Sequence, residues 1–218
     1  MTTLRVIEIF DSLQGEGYWT GVPMTFVRLA GCNAAAAGLG CTAWCDTPEG
    51  WDTAAGTDMR VEEVLTLVDL PRLCLTGGEP LLQLEGVKEL VGGARRLGVR
   101  VHLETNGTLD PPQVPADMSL AAAGMGWAAF FDWVCVSPKP PAYLVASGWD
   151  GLVDELKLVV DEALDAATAE RLAAAHPEAV VSIQPVAAPQ SLQRAIALVM
   201  AHPDWRLSLQ THKLLGLR

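Results

Sequence analysis

Short apolar runs recur along the chain, each bounded by polar or turn-forming residues, and most are too short to be helices. Arg5–Phe10, Met24–Leu29, Arg72–Leu75, Arg100–Glu104, Trp133–Ser137, Glu155–Val159, Val180–Gln184 and Arg206–Gln210 read as strands on that pattern. Helical character lies between them, at Val61–Val68, Leu84–Leu97, Ala163–Ala175 and Leu192–Ala201. In QSLQRAIALVMAHP, Leu192, Ile196 and Val199 recur three and four positions apart, the spacing of one helical face. Gly98 stands where a helix C-terminus accepts a left-handed residue. Strand and helix in alternation predict parallel strands joined by crossover helices, an α/β fold.

The polar residues then fall in a pattern. Thr76–Pro80 (TGGEP), Glu104–Thr108 (ETNGT), Ser137–Lys139 (SPK), Gln184-Pro185 and Gln210–Lys213 (QTHK) each follow a predicted strand. Polar clusters repeated at the carboxyl ends of parallel strands are how a β/α barrel builds an active site. A complete eight-stranded barrel typically takes about 250 residues. The chain has 218, so the expectation is an incomplete TIM-type barrel of about six parallel strands.

Composition narrows the partners. Half the residues are apolar and 19% are charged, which suits one globular domain over residues 1–218. The alanine-rich runs at Ala34–Ala37 and Ala121–Ala129 are too short to divide it. A net charge of −11 argues against a nucleic-acid partner. No apolar run approaches the roughly 20 residues of a membrane span, and the N-terminal MTTLRVIEIF lacks the pattern of a signal peptide. A cytoplasmic protein is expected, where the thiols of five cysteines stay reduced.

Three of those cysteines crowd into GCNAAAAGLGCTAWCDTP: Cys32, Cys41 and Cys45, a cluster loop over residues 32–45 with no histidine inside it. A structural zinc site wants a closed set of protein ligands. A cubane iron–sulfur cluster held by three thiolates instead leaves one iron open to a small molecule. Cys74 and Cys135 lie within the apolar runs RLCLT and WVCVS and read as packed core thiols.

The three-cysteine loop, followed at the next strand end by LTGGEPLLQ, resembles the radical S-adenosylmethionine (SAM) superfamily. Within it the chain resembles the 7-carboxy-7-deazaguanine synthases from end to end. The resemblance rests on IFDSLQGEGYWTGVPMTFVRLAGCN, CDTP, ETNGT, SPK, ELKLVV and the terminal QTHKLLGLR. One departure is the cysteine spacing. Most of the superfamily has Cys-x-x-x-Cys-x-x-Cys, whereas here eight residues separate Cys32 from Cys41 and three separate Cys41 from Cys45.

The resemblance implies a radical SAM fold and a lyase reaction. SAM is cleaved reductively, and the radical formed takes hydrogen from 6-carboxy-5,6,7,8-tetrahydropterin, whose ring contracts to 7-carboxy-7-deazaguanine with loss of ammonia. It also implies roles for matching positions. Cys32, Cys41 and Cys45 ligate a 4Fe–4S cluster. Gly78, Ser137, Lys139 and Gln184 hold SAM, with Trp44 and Asp46 as adenine-side contacts and cluster shields. Leu13, Gln14 and Gly15 read the pterin edge, Arg28 receives the substrate carboxylate and Thr76 touches substrate. Thr47 is the protein ligand of a Mg²⁺ ion that keeps waters and takes substrate oxygens. A flavodoxin-like or ferredoxin-like electron donor and a homodimer are implied as well.

Other residues have plainer readings. Gln14 and Glu16 could form a turn around Gly15 and Gly17, and Arg28 could snorkel to solvent. Lys157 is either a rim charge paired with Glu155 or a functional group. His102 reads as core, His176 and His202 as surface, and His212 alone sits in a site-like segment. A glycyl-radical activase would keep the cysteines and GGEP without QGEG or QTHK. A zinc or redox module would need the other motifs to be coincidental.

Overall fold

The computed structural model describes residues 2–111 and 130–218, so the run 121–129 lies outside the described residues. Among the described residues nine strands form one sheet: β1 (Thr3–Leu13), β2 (Pro23–Leu29), β3 (Thr57–Arg60), β4 (Arg72–Gly77), β5 (Arg100–Thr105), β6 (Trp133–Val136), β7 (Glu155–Val160), β8 (Val180–Pro185) and β9 (Arg206–Leu207). Their order is β3-β1-β2-β4-β5-β6-β7-β8-β9. Every pair from β2 to β9 is parallel, while β1 runs antiparallel to both β2 and β3. The helices are α1 (Val61–Leu65), α2 (Leu84–Arg96), α3 (Ala166–Ala175), α4 (Pro189–Ala201) and α5 (Thr211–Leu215).

Strand alternation decides which residues meet a ligand. In β7, Leu156, Leu158 and Val160 join the core built with Leu164, Ala169, Leu172 and Ala195, from α3, α4 and the loop before α3. Glu155 and Lys157 point to the opposite face and are nonetheless buried. The same split repeats along the sheet. Leu73 and Leu75, Val101 and Leu103, and Val134 and Val136 pack into the core with α1 and α2. Cys74, Thr76, His102, Glu104, Trp133 and Cys135 occupy the alternate positions.

The sheet curls so that its two sides approach. Thr211 N–H donates to Gly15 C=O at 2.8 Å, and Gly17 N–H donates to Ser208 Oγ at 2.8 Å. These bonds join the turn after β1 to the chain after β9 without a closing strand pair, which is the incomplete barrel. Tyr18 stacks on Trp133 with centroids 4.9 Å apart, and Trp19 lies 5.0 Å from His102. Together these rings plug the end of the barrel from which the parallel strands start. Among the described residues no helix is long and apolar enough to cross a membrane.

Several expectations need correction. β3 has no apolar alternation in TDMR, which is why its pattern is silent. The expected strand 206–210 is only two residues long: Ser208 turns its buried hydroxyl to Gln184 and the Gly17 N–H, Gln210 turns its side chain to the cavity, and α5 follows. The first helix is shorter than expected, α3 starts at Ala166 behind its Asp165 cap, and α4 starts earlier, with Pro189 in its first turn. His176 is buried rather than on the surface. His202 is half-buried, stacked on Trp205 at 3.9 Å.

Candidate active site

The curled sheet encloses a cavity of about 390 Å³ that opens at the carboxyl ends of the parallel strands. Its deep wall is charged. Lys157 Nζ donates to Glu16 Oε2 at 2.6 Å and stands 3.7 Å from Glu104 Oε2. Gln14 Nε2 donates to Glu104 Oε1 at 3.1 Å, and Thr76 Oγ1 donates to Glu104 Oε2 at 3.2 Å. Gln210 Nε2 reaches Glu16 Oε1 at 2.7 Å. Burial would push the Glu16 carboxyl up, but the Lys157 ammonium and the Gln210 and Gln184 amides override it and hold it at about 2. Burial likewise works against the Lys157 ammonium, which Glu104 and Glu16 keep well above the ordinary lysine range.

A second cation stands on β2. Arg28 Nε donates to Glu8 Oε1 at 2.8 Å, leaving the terminal guanidinium nitrogens for an anion in the cavity. Arg218 meets the other Glu8 oxygen at 3.2 Å and lies over the Phe10 ring. Arg28 is therefore held by a partner and does not snorkel.

The opposite wall is the cluster loop. Cys32, Cys41 and Cys45 all face the cavity and are free thiols, and burial raises the Cys32 and Cys41 thiols. Among the described residues no three metal-ligating side chains converge on one point as a single ion requires. Three free thiols on one cavity wall are the ligand number of a cubane that leaves one iron open to a small molecule. Trp51 Nε1 donates to Cys45 Sγ at 3.3 Å, and Thr47 Oγ1 is 3.8 Å from the same sulfur.

The loop rests on the GGEP turn. Gly78 N–H donates to Leu29 C=O at 3.0 Å and Glu79 N–H to Gly31 C=O at 2.8 Å, while Gly31 N–H donates to Gly50 C=O at 2.8 Å. A Cβ on Gly78 would lie 2.1 Å from the Gly31 oxygen and 2.6 Å from that of Gly50. The glycine is thus required by the backbone stacked against it, in addition to any ligand it faces. Trp44 Nε1 donates to Asp161 Oδ2 at 3.0 Å, and Lys139 Nζ sits 5.4 Å from the Trp44 ring centre while donating to Ser137 Oγ at 2.8 Å. Burial, with Lys157 nearby, pulls the Lys139 ammonium down.

Leu13, Gln14, Gly15, Arg28, Trp44, Asp46, Thr47, Thr76, Gly78, Ser137, Lys139 and Gln184 line this same cavity with the three cysteines. Asp46 and Gly15 are engaged by the C-terminal segment. Asp46 Oδ2 accepts from Lys213 at 2.7 Å and from Gln210 at 2.9 Å, and Gly15 C=O accepts from Thr211. Lys157 pairs with Glu16 and Glu104 rather than with Glu155. Glu155 instead accepts from Tyr18 N–H at 3.0 Å, Ser182 Oγ at 2.5 Å and Trp133 Nε1 at 3.3 Å. Sequence reasoning did not assign Glu16, Glu104, Gln210, His212 or Lys213 to the site, although all line it. The available signal was their place inside QGEG, ETNGT and QTHK.

No protein-family model matches the chain. Curated relatives do. It is 35% identical over 223 residues to the 7-carboxy-7-deazaguanine synthase of Methanospirillum hungatei, covering 98% of this chain and 86% of that one. It is 37% identical over 217 residues to that of Bacteroides thetaiotaomicron, covering 98% of each. With that of Caulobacter vibrioides it shares 37% identity over 234 residues, covering 99% of each. Among solved structures, QueE from Escherichia coli superposes with a TM-score of 0.70 at 26% identity, covering 95% of this chain and 93% of that one. On this full-length similarity, the chain belongs to the 7-carboxy-7-deazaguanine synthase family.

Proposed function

We propose that this chain is a radical SAM lyase that converts 6-carboxy-5,6,7,8-tetrahydropterin to 7-carboxy-7-deazaguanine with loss of ammonia, in deazapurine biosynthesis of the queuosine type. The observation that carries it is one cavity with three free thiols on one wall and a buried ion network on the other, in a chain of this family. The family's enzymes work with a 4Fe–4S cluster, SAM and Mg²⁺. When bound, the cluster and SAM together supply a hydrogen-abstracting radical, the hard chemistry that a protein side chain does not provide.

The residues of this chain fit those groups. Cys32, Cys41 and Cys45 would hold three irons. Gly78, Ser137, Lys139 and Gln184 would hold SAM across the same opening, with the Trp44 ring fixed by Asp161 beside them. Thr47, next to the Cys45 sulfur, would take Mg²⁺. Its single hydroxyl suits an ion that relies on waters and substrate oxygens for most of its ligands.

The deep wall supplies the substrate contacts. Gln14, Glu16 and Glu104 present acceptors to the amino and ring N–H groups of a pterin. Leu13 and Gly15 border them on the same turn, and Thr76 adds a hydroxyl. Arg28, steadied through Nε by Glu8, offers its terminal nitrogens to the substrate carboxylate. A charge-assisted bond of that kind contributes about 1.5–3 kcal/mol, enough to separate carboxylated from plain pterins. Gln210 and Lys213 tie the C-terminal segment to Glu16 and Asp46, narrowing the opening and limiting water.

A flavodoxin-like or ferredoxin-like protein would deliver the electron from outside the cluster loop, and the working form would be a homodimer. The test is anaerobic. Protein reconstituted with iron and sulfide is given reductant, Mg²⁺, SAM and carboxytetrahydropterin, and the products are followed by mass spectrometry. Carboxydeazaguanine that disappears in a Cys45→Ala variant is the expected result. Deoxyadenosine without carboxydeazaguanine would keep a radical enzyme, such as an activase, and remove this substrate. A protein that binds zinc and no sulfide would overturn the reading.

A further inference from the structure

The long gap between Cys32 and Cys41 is not a loose loop. Asn33 C=O accepts Ala37 N–H at 2.8 Å, Ala35 C=O accepts Gly38 N–H at 3.2 Å, and Ala34 C=O accepts Leu39 N–H at 2.9 Å. These bonds make one helical turn, closed by Gly38 at φ 66°, a left-handed conformation suited to glycine. Ala35–Gly38 are exposed, whereas Ala34 and Leu39 are buried. The Ala34–Leu39 bond joins the two ends of the turn. Across that neck the route from Cys32 to Cys41 passes Asn33, Ala34, Leu39 and Gly40, close to the Cys-x-x-x-Cys arrangement of the superfamily.

The neck is fastened from outside on both sides. Gly40 N–H donates to Pro140 C=O at 2.7 Å. Asn33 Oδ1 accepts from Asn106 Nδ2 at 2.9 Å, and Asn33 Nδ2 donates to Thr108 Oγ1 at 2.8 Å. Asn106 Oδ1 accepts in turn from the Thr108 N–H at 2.9 Å and hydroxyl at 2.6 Å. The triangle stands on a buried carboxylate. Glu79 Oε2 accepts from Asn106 N–H at 2.8 Å, and Glu79 Oε1 accepts from Thr105 Oγ1 at 2.8 Å and from Leu81 N–H at 3.2 Å. The loops after β4 and β5 therefore meet at the residue next to Cys32.

We propose that Asn33, Asn106 and Thr108 form a latch that sets the Cys32 arm of the cluster loop before the cluster binds, and that Asn33 and Asn106 are positioning residues for iron–sulfur ligation. This rests on the reading of Cys32, Cys41 and Cys45 as the ligand set. The physical reason is ordering: a loop already held at the ligand's neighbour loses less freedom when the thiolate binds. Partners that orient a metal ligand typically alter affinity about 10- to 100-fold. The exposed turn Ala35–Gly38 is then a bypassed excursion, and the extra residues leave the thiol placement intact.

The test reconstitutes wild type, Asn33→Ala, Asn106→Ala, their double variant and Asn33→Asp. Iron and sulfide per chain, the rate of iron loss to a chelator, the electron paramagnetic resonance spectrum of the reduced cluster with and without SAM, and the melting temperature of the cluster-free protein are read. Each alanine variant should lose iron about 10-fold faster or more and show an altered spectrum. The double variant should be no worse than Asn33→Ala, because that single change already removes both bonds, to Asn106 and to Thr108, by which the latch holds the loop. Asn33→Asp keeps the acceptor for Asn106 and should lie nearer wild type. Wild-type iron loss and spectra in both alanine variants overturn the latch. So does a fall in cluster-free melting temperature alone, or strictly additive effects. Wild type that takes up no iron and sulfide overturns the ligand set, and the latch with it.

Discussion

The two walls of the cavity hold their functional groups by different means. On the cluster-loop wall the thiols are placed largely by main-chain contacts: Gly78 N–H on Leu29, Gly31 N–H on Gly50 and Gly40 N–H on Pro140. On the deep wall the charges are placed by side-chain contacts among Gln14, Glu16, Glu104 and Lys157, each rooted on a strand or on the turn after β1. A loop of main-chain contacts tolerates insertions that project outward, and the Ala35–Gly38 turn is one. A buried ion network tolerates little, because each charge is stable only while its partners remain.

Removing the central cation is the largest test of that difference. Lys157→Ala leaves Glu16 and Glu104, whose side chains are 16% and 26% exposed, with only neutral donors from Gln210, Gln14 and Thr76. Loss of one partner of a fully buried pair costs about 3–5 kcal/mol, which is the upper bound here. Urea unfolding should show that loss. If the protein folds, it should still take up iron and sulfide but fail to turn over the pterin. Unchanged stability would mean that the deep wall relaxes as easily as a surface.

Gly78→Ala attacks the other wall. The added Cβ meets two carbonyl oxygens of the backbone, at 2.1 and 2.6 Å, with no flexible side chain to give way. Overpacking of this kind costs about 1–3 kcal/mol. The expected signature is the reverse of the lysine variant: iron and sulfide content falls first, while the Glu16–Lys157 pair survives.

Acid sharpens the comparison with a smaller effect. The folded-state pKa of Glu16 is depressed from 4.5 to about 2, so the unfolded chain binds the proton first as pH falls. The stabilisation is present above pH 4.5 and is lost progressively down to about 2. The melting temperature of wild type should therefore fall more steeply across that window than that of Glu16→Gln. Parallel curves would show that Glu16 is not held as an ion. The smallest effect belongs to the bridge between the walls. The Lys213–Asp46 pair is 44% and 49% exposed, so Lys213→Ala should change stability by less than about 1 kcal/mol. A rise in pterin KM at near-normal kcat would show that the C-terminal segment narrows the opening without carrying chemistry.

Much of this arrangement was legible in the chain's pattern. Runs such as ELKLVV and RLCLT are strands because their apolar residues alternate with an inward set that also had to be buried. The polar clusters TGGEP, ETNGT and SPK ended up at one end of one sheet because parallel strands put all their carboxyl ends on the same side. β3 was silent because an edge strand with little apolar content carries no periodic signal. Lys157 illustrates the remaining gap. Its neighbour Glu155 is two residues away and on the same face, yet its ion pairs are with Glu16 and Glu104, which are distant in sequence.

The sequence alone determined the alternation of strands and helices, the three-thiol loop and the motifs that mark the family, since each is a local pattern of residue type and spacing. Only the tertiary structure decided which charges pair, why Gly78 must be glycine, and how an eight-residue gap still brings Cys32 and Cys41 to one wall. Those outcomes depend on contacts between segments far apart in the chain. Burial sets their energies: a charge or a Cβ that costs little in water becomes decisive once the curled sheet has removed the solvent around it.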